Sequence, residues 1–466
     1  MLIQQRNFFL LVTAAALALR LVLYFSFPQV TGDALIYGDI AKNWLNHGIF
    51  GLTHAQGIRP TWIRLPGYPA FLAACFVLFG REHYHAVLLV QIVIDLVACF
   101  FLADLARRTV SARAARFVFL LAALCPSTAN YTVAPLAETL SIFFAAIALD
   151  AAAAGLNSLQ TMRRALSPWI WCGIALACGI LLRPDGGILL IAIGAYLVWR
   201  MWHMPAQRSS LLLAAALIVV IAVAPLVPWT IRNWHDFHRF QPLVPESASD
   251  PDEFVPDGFN QWVKTWAADY VSTEEIYWQV PDSKIDPTLL PSRSFDNGLQ
   301  RAQTLAIIDA YNKILVVNPA LNVRFRELAR ERIADNPLRY YVGLPALRII
   351  DMWLRPRTEM LSLDSRWWEF SDDPGSSTAA VLIGGLNLLF ILAAIMGVVR
   401  GPRPRYLAMM LLFVLLRSAF LGTLANPEPR YTLECFPVVL LLGGAWISGW
   451  RRANADSPMA RATGAK

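Results

Sequence analysis

Apolar runs close to the length of a bilayer crossing recur from about residue 8 to about residue 449, and this recurrence constrains the fold more than any other feature. A helix needs about 20 apolar residues to cross the hydrocarbon core, where backbone polar groups must be satisfied inside the segment. Hydrophobic residues make up 56% of the chain and charged residues only 16%. These observations predict an all-α polytopic membrane protein. About ten crossings are expected, near 8–27, 85–106, 114–129, 134–154, 169–182, 187–201, 209–229, 378–399, 406–421 and 432–449. The first, from Phe8 to Phe27, is long for a signal peptide and lacks a clear small-residue cleavage site, so it is read as a retained helix.

Loop charge predicts orientation. Arginines follow the even-numbered crossings: Arg107, Arg108, Arg113 and Arg116, then Arg163 and Arg164, then Arg200 and Arg208, then Arg400, Arg403 and Arg405. Basic loops stay cytoplasmic. Both termini are therefore expected inside, including a tail at 451–466 with Arg451 and Arg452, and the first loop, 28–84, outside. The formal charge of +7 thus reflects loop placement and implies no nucleic-acid partner. Six cysteines lie in or beside apolar runs without a Cys-x-x-Cys pair, which suggests neither a zinc site nor a disulfide framework.

Four parts are expected: a transmembrane module over 1–230, an extracytoplasmic subdomain over 231–375, transmembrane helices over 376–450, and the tail. Within the subdomain, 298–335 reads as soluble helices. Residues 337–354 are apolar but interrupted by Arg339, Arg348 and Asp351; loop parity makes them an interfacial helix. Residues 65–80 are short for a crossing and read as a second surface helix or a re-entrant one.

The candidate chemistry gathers at the outer boundary. In Thr31–Gly48, Ile36, Ile40, Ala41, Trp44 and Leu45 fall at helix spacing on one apolar face, which predicts a short helix lying in the membrane surface, with Asp33 at the start and Gly48 as a C-cap. Asp33 reads either as an ordinary cap or as a working carboxylate. Asp39 lies further along the same helix. Arg59, Arg64, Tyr68, Arg183, Asp185, Arg430 and Tyr431 are expected on the same outer face. Arginines suit a lipid phosphate, and a carboxylate facing them can take a proton from an acceptor hydroxyl. Glu138, opening the fourth crossing, reads as either a helix-start residue or a site residue. Asp95 is a mid-membrane acid near Gln91, read as functional or as hydrogen-bonded to a neighbouring helix. His47 and His54 share the outer loop, but their spacing matches no standard metal pattern.

The stretch from Thr31 to Phe50 resembles the first outer loop of the GT-C glycosyltransferases, in the branch related to protein O-mannosyltransferases and the lipid A aminoarabinose transferase. Arg64-Leu-Pro-Gly-Tyr-Pro-Ala-Phe-Leu72 resembles that branch's proline-aromatic segment. Ala134–Leu140, Gly179–Gly186 and Pro429–Pro437 resemble its later landmarks. The resemblance implies the GT-C fold and an inverting transfer on the outer membrane face. The donor would be a polyprenyl-phosphate-linked sugar and the acceptor a lipid, glycan or protein, with membrane lipids around the enzyme. It assigns Asp33 as base and the outer arginines as holders of the lipid phosphate. Several relatives carry Asp-Glu at the first acid, where this chain has Asp33-Ala34. No cofactor is implied outright, and dependence on a divalent metal stays open. Three rivals stand beside this reading: a transporter or lipid flippase, which should show repeated halves and polar residues along a mid-membrane path; a non-catalytic membrane scaffold, which would not need acids and arginines converging at one interface; and an oligosaccharide ligase or polymerase using the same lipid carriers.

Overall fold

The computed structural model describes residues 2–30, 32–161, 165–251, 253–361 and 363–455. Thr31, the basic pair Arg163 and Arg164, and the tail beyond 455 lie outside the described residues. In order, the first elements are α1 Leu2–Ser26, α2 Asp33–His47, the strands β1 Gly51–His54 and β2 Gly57–Pro60, and α3 Gly67–Phe79. Then come α4 Tyr84–Thr109, α5 Ala112–Ala123, α6 Pro126–Asn130, α7 Glu138–Gln160, α8 Ser167–Leu182, α9 Gly187–His203, α10 Arg208–Val223 and α11 Leu226–Phe237. The remainder is α12 Asp257–Lys264, the one-turn α13 Tyr270–Ser272, α14 Gly298–Ile314, α15 Pro319–Asp335, α16 Leu344–Leu354, α17 Pro374–Val399, α18 Leu407–Gly422 and α19 Phe436–Ala455.

Every expected crossing coincides with helix, and the chain is a multi-pass membrane protein by length and composition. The exact count of ten is not reached on those criteria. Among the described residues, seven helices are long and apolar enough to cross, or eight if the bent pair Ala112–Ala123 and Pro126–Val133 is one span. Ser167–Leu182 and Leu407–Gly422 are apolar helices of 16 residues each. The expected crossing at 134–154 starts later, at Glu138. Ala134 precedes Pro135 and is extended (φ −122°, ψ 130°), as the clash with a following proline ring dictates. The bent pair turns by 45° at residues 124–125, just before Pro126, and Pro135 precedes the start of α7.

One compact unit comprises Met1–Asp250, Leu386–Leu415 and Leu433–Lys466. Here α7 packs on α8, α4 lies against α5 and α7, α10 packs on α8 and α9, and α19 packs on α5. At the start of α3, a Cβ on Gly67 would meet the Leu181 carbonyl at 2.6 Å, so the absence of a side chain lets α3 meet the end of α8. A core of Tyr37, Ala41, Tyr68, Leu72, Val87, Leu140 and Leu182 joins α2, α3, α4, α7 and α8.

The second unit comprises Pro251–Gly385 and Leu416–Thr432. Its core includes Phe259, Trp262, Trp266, Ile308, Tyr311 and Phe325. The expected soluble helices over 298–335 are α14 and α15. Asn297 and Asn318 cap them, accepting from Gln300 N at 2.8 Å and Leu321 N at 2.9 Å. Buried Arg332 fills its donors with Thr265 Oγ1 at 3.0 Å, Gln300 Oε1 at 2.6 Å, and the carbonyls of Ser294 at 2.6 Å and Arg293 at 2.9 Å.

At 337–354, a π-helical turn Arg339–Gly343 leads into α16, whose 11 residues are too few to span a bilayer. Asp351 on α16 accepts from Tyr270 N at 3.0 Å. Burial raises its carboxyl to about 6 from 3.8, against the opposing pull of Arg355 and with a further push from Asp269. A carboxyl raised by folding stabilises most below its unfolded value. That contribution is lost as pH rises through about 6. The contribution of Asp351 is therefore expected to fall by on the order of 2 kcal/mol between about pH 4 and pH 7. Asp351→Asn, which keeps an acceptor for Tyr270 N, should flatten that slope in thermal unfolding.

Candidate active site

The helix α2 starts at Asp33, placed in the first turn where a negative charge meets the exposed N–H groups. It stops at Gly48, whose left-handed conformation (φ 70°) sends its N–H back to the Trp44 carbonyl. The residues buried within the protein include only part of that apolar stripe. Ala34, Tyr37, Gly38, Ile40, Ala41 and Asn43 are buried, whereas Trp44 and Leu45 are exposed. The reason is a hairpin that periodicity did not reveal: β1 pairs antiparallel with β2, Gly51 opposite Pro60. It draws the polar side of α2 inward. Asn43 donates to the Gly51 carbonyl at 3.0 Å and to Thr53 Oγ1 at 3.1 Å.

Asp39 belongs to this fastening. It accepts from Thr53 N at 2.7 Å and Thr53 Oγ1 at 2.9 Å, with Asn43 Nδ2 at 3.4 Å. Asp39→Ala strands those donors. It is expected to cost about 1–3 kcal/mol and to speed amide exchange over 51–60, while lowering turnover less than changes at Asp33. Arg59 is exposed on β2 and donates to Gln56 at 2.7 Å. His47 and His54 are both exposed, and no cluster of three metal-ligating side chains occurs among the described residues.

Asp33 receives Arg64 Nη2 at 2.6 Å, and both side chains stay partly open, 29% and 21% exposed. The Arg64 guanidinium also lies over the Tyr37 ring, 5.6 Å from its centroid. Tyr37 follows Asp33 by one helical turn and is buried. Burial pushes its phenol above the ordinary range, with Arg64 and Arg183 pulling it down and Asp33 and Glu138 pushing it up. These four charges therefore surround one neutral phenol. The Tyr37 ring meets Tyr68 edge-on at 4.9 Å. Tyr68 is fully buried and donates to Gln91 Oε1 at 2.7 Å.

Arg183 sits where α8 ends in an extended residue before Pro184. It donates to Glu138 Oε1 at 3.0 Å and to Asp185 Oδ1 at 3.2 Å, and Glu434 Oε1 lies 3.9 Å away. Three carboxylates thus surround one guanidinium. Glu434 is the site residue that sequence reasoning passed over; it lies within the Pro429–Pro437 landmark but was not singled out there. Arg430 and Tyr431 belong to the second unit, where both meet Glu428; Arg430 Nε lies 2.6 Å from Glu428 Oε2 and its guanidinium lies over the Tyr431 ring at 5.5 Å. Asp95 is held by Arg20 of α1, Nε to Oδ2 at 2.7 Å, with both side chains buried.

The chain is similar in sequence or fold to known proteins. Residues 60–229 match the family model described as dolichyl-phosphate-mannose-protein mannosyltransferase. That stretch holds Arg64, Glu138 and Arg183 and begins after α2. The oligosaccharyltransferase AglB from Archaeoglobus fulgidus, solved with an inhibitory peptide and a dolichol-phosphate, matches at 12% identity and a TM-score of 0.51, over 97% of this chain and 52% of that one. Its apo form gives 13% identity and a TM-score of 0.52, over 96% and 52%. The fold is that of the GT-C glycosyltransferases. ArnT from Cupriavidus metallidurans bound to undecaprenyl phosphate is similar at 16% identity and a TM-score of 0.42, over 96% of this chain and 79% of that one. No curated protein matches the chain. The chain spans about half the length of the GT-C oligosaccharyltransferase structures it matches.

Proposed function

We propose that this protein is an inverting glycosyltransferase that moves a sugar from a polyprenyl-phosphate donor to an acceptor hydroxyl at the outer face of the membrane. The observation that carries this reading is the partly open pair of Asp33 and Arg64, 2.6 Å apart. A carboxylate there can accept a proton, and a guanidinium beside it can meet phosphate oxygens. In the reaction, Asp33 takes the acceptor's hydroxyl proton as that oxygen bonds to the anomeric carbon. The carbon–oxygen bond to the donor phosphate breaks on the opposite face, and its electron pair leaves with the polyprenyl phosphate. Arg64 offsets the developing charge. A phosphate leaving group needs no protonating acid, unlike the two-carboxylate hydrolases. Arg183, encircled by Glu138, Asp185 and Glu434, is assigned mainly to holding those acids in place. Arg59, Tyr68, Arg430 and Tyr431 are kept as supporting positions, and the second unit is assigned to acceptor choice. Orientation rests on loop charge, with both termini cytoplasmic.

The likeness to oligosaccharyltransferases favours one alternative, a donor carrying a glycan longer than one sugar. The test uses purified full-length protein, synthetic polyprenyl-phosphate monosaccharide and a membrane extract as acceptor source. Release of polyprenyl phosphate with inversion at the transferred sugar is the expected result. Release only from oligosaccharide donors would support the ligase instead, and release from neither removes the proposal.

A further inference from the structure

Gln91 sits in α4 away from the proposed chemistry, yet its amide reaches the elements that build it. Nε2 donates to the Ala134 carbonyl at 2.8 Å and the Thr132 carbonyl at 3.2 Å, and Oε1 accepts from the Tyr68 hydroxyl at 2.7 Å. Gln91 and Tyr68 are both fully buried. The amide's orientation follows from the partners, because two carbonyls demand its two hydrogens and the hydroxyl is left to its oxygen. The two carbonyls belong to the stretch between α6 and α7, Thr132 within the one-turn 3-10 helix Tyr131–Val133 and Ala134 just after it, where its carbonyl also accepts from Leu136 N at 2.8 Å.

Each arm ends at a carboxylate. Through Tyr68, the first arm runs to the Tyr37 ring at 4.9 Å, then to the Arg64 guanidinium over that ring at 5.6 Å, then to Asp33 at 2.6 Å. Through Ala134, the second runs four residues along the chain to Glu138, which accepts from Arg183 at 3.0 Å. Thr139 Oγ1, donating to the Tyr131 carbonyl at 3.1 Å, ties the far side of the break to the same stretch.

We infer that Gln91 is a positioning residue for the transfer reaction, fixing Asp33 relative to Glu138 and Arg183 through Tyr68 and the 131–137 segment. This rests on the reading of Asp33 as the base. Methionine at this position fills similar volume and supplies neither donors nor a strong acceptor; phenylalanine at 68 removes one arm and leaves the carbonyl arm intact.

The test compares wild type, Tyr68→Phe, Gln91→Met and the double variant, as full-length protein in detergent with polyprenyl-phosphate sugar. Tyr68→Phe is expected to lower kcat about 10-fold and Gln91→Met about 100-fold, each with donor KM within about 3-fold of wild type. Tyr68→Phe should add nothing in the Gln91→Met background, because the arm it cuts is already gone. Amide exchange over 131–137 should rise in Gln91→Met and stay unchanged in Tyr68→Phe. Should Gln91→Met fail to fold, the kcat-against-KM split of Tyr68→Phe carries the decision. Wild-type kcat in a folded variant, a rise in KM with kcat held, or effects that multiply in the double variant would overturn the inference. Failure of the base assignment shows differently, as near-normal turnover in Asp33→Asn.

Discussion

Asp33→Asn is expected to lower transfer by about 10³-fold while leaving the protein folded. The amide has the same shape, and its oxygen still accepts from Arg64, whose Nη2 lies 2.6 Å from Oδ1. What it lacks is a basic lone pair able to take the hydroxyl proton. Binding of donor should change little, because the guanidinium remains, so the loss belongs to kcat and not to KM. The measurement is turnover with polyprenyl-phosphate sugar, alongside a thermal melt in the same detergent. Turnover within a few-fold of wild type, at an unchanged melting temperature, would remove Asp33 from the chemistry. Donor affinity falling with kcat intact would make it a binding group.

The other large effect is expected far from that chemistry. Arg20 and Asp95 form an ion pair inside the helix bundle, and Arg20 also donates to the Ala16 carbonyl at 2.9 Å and the Ala123 carbonyl at 2.7 Å. Removing either partner leaves an uncompensated charge in a medium that solvates it poorly, at a cost of about 3–5 kcal/mol. Arg20→Met and Asp95→Leu are each expected to lose that much in unfolding measurements. The double variant should recover most of it, since two apolar side chains carry no charge to desolvate. Recovery should fall short by about 1 kcal/mol, because the carbonyl at the end of α5 loses its cationic partner. A double variant no more stable than either single one would show that the pair's charges are not what limits stability.

Helix positions were legible because apolar runs of bilayer length leave few folds open. The start of α2 at Asp33 and its stop at Gly48 were readable from residue type alone. The hairpin at 51–60 was not. Its four-residue strands carry no sustained alternation, and Asp39, Asn43 and Thr53 hold it by side-chain bonds that no periodicity records. The spacing of Asp33 and Tyr37 by one turn was present in the sequence, but only the fold brings Arg64 onto that ring. Around Arg183, Asp185 is two residues away and Glu138 was already a candidate at the same boundary, but nothing in a single sequence shows that Glu434 joins them. Gln91 and Asp95 were visible as neighbouring polar residues on α4. Their partners on α1, α3 and the break before α7 were not.

The break between α5 and α7 bears on how the chain is made. The buried carbonyls of Ala123, at the end of α5, and of Thr132 and Ala134 accept from Arg20 and Gln91, and both donors lie earlier in the sequence. A ribosome therefore delivers the satisfying groups before it delivers the segment that needs them. The kinked stretch can leave the insertion machinery against helices already in place, without first facing lipid with its backbone bare.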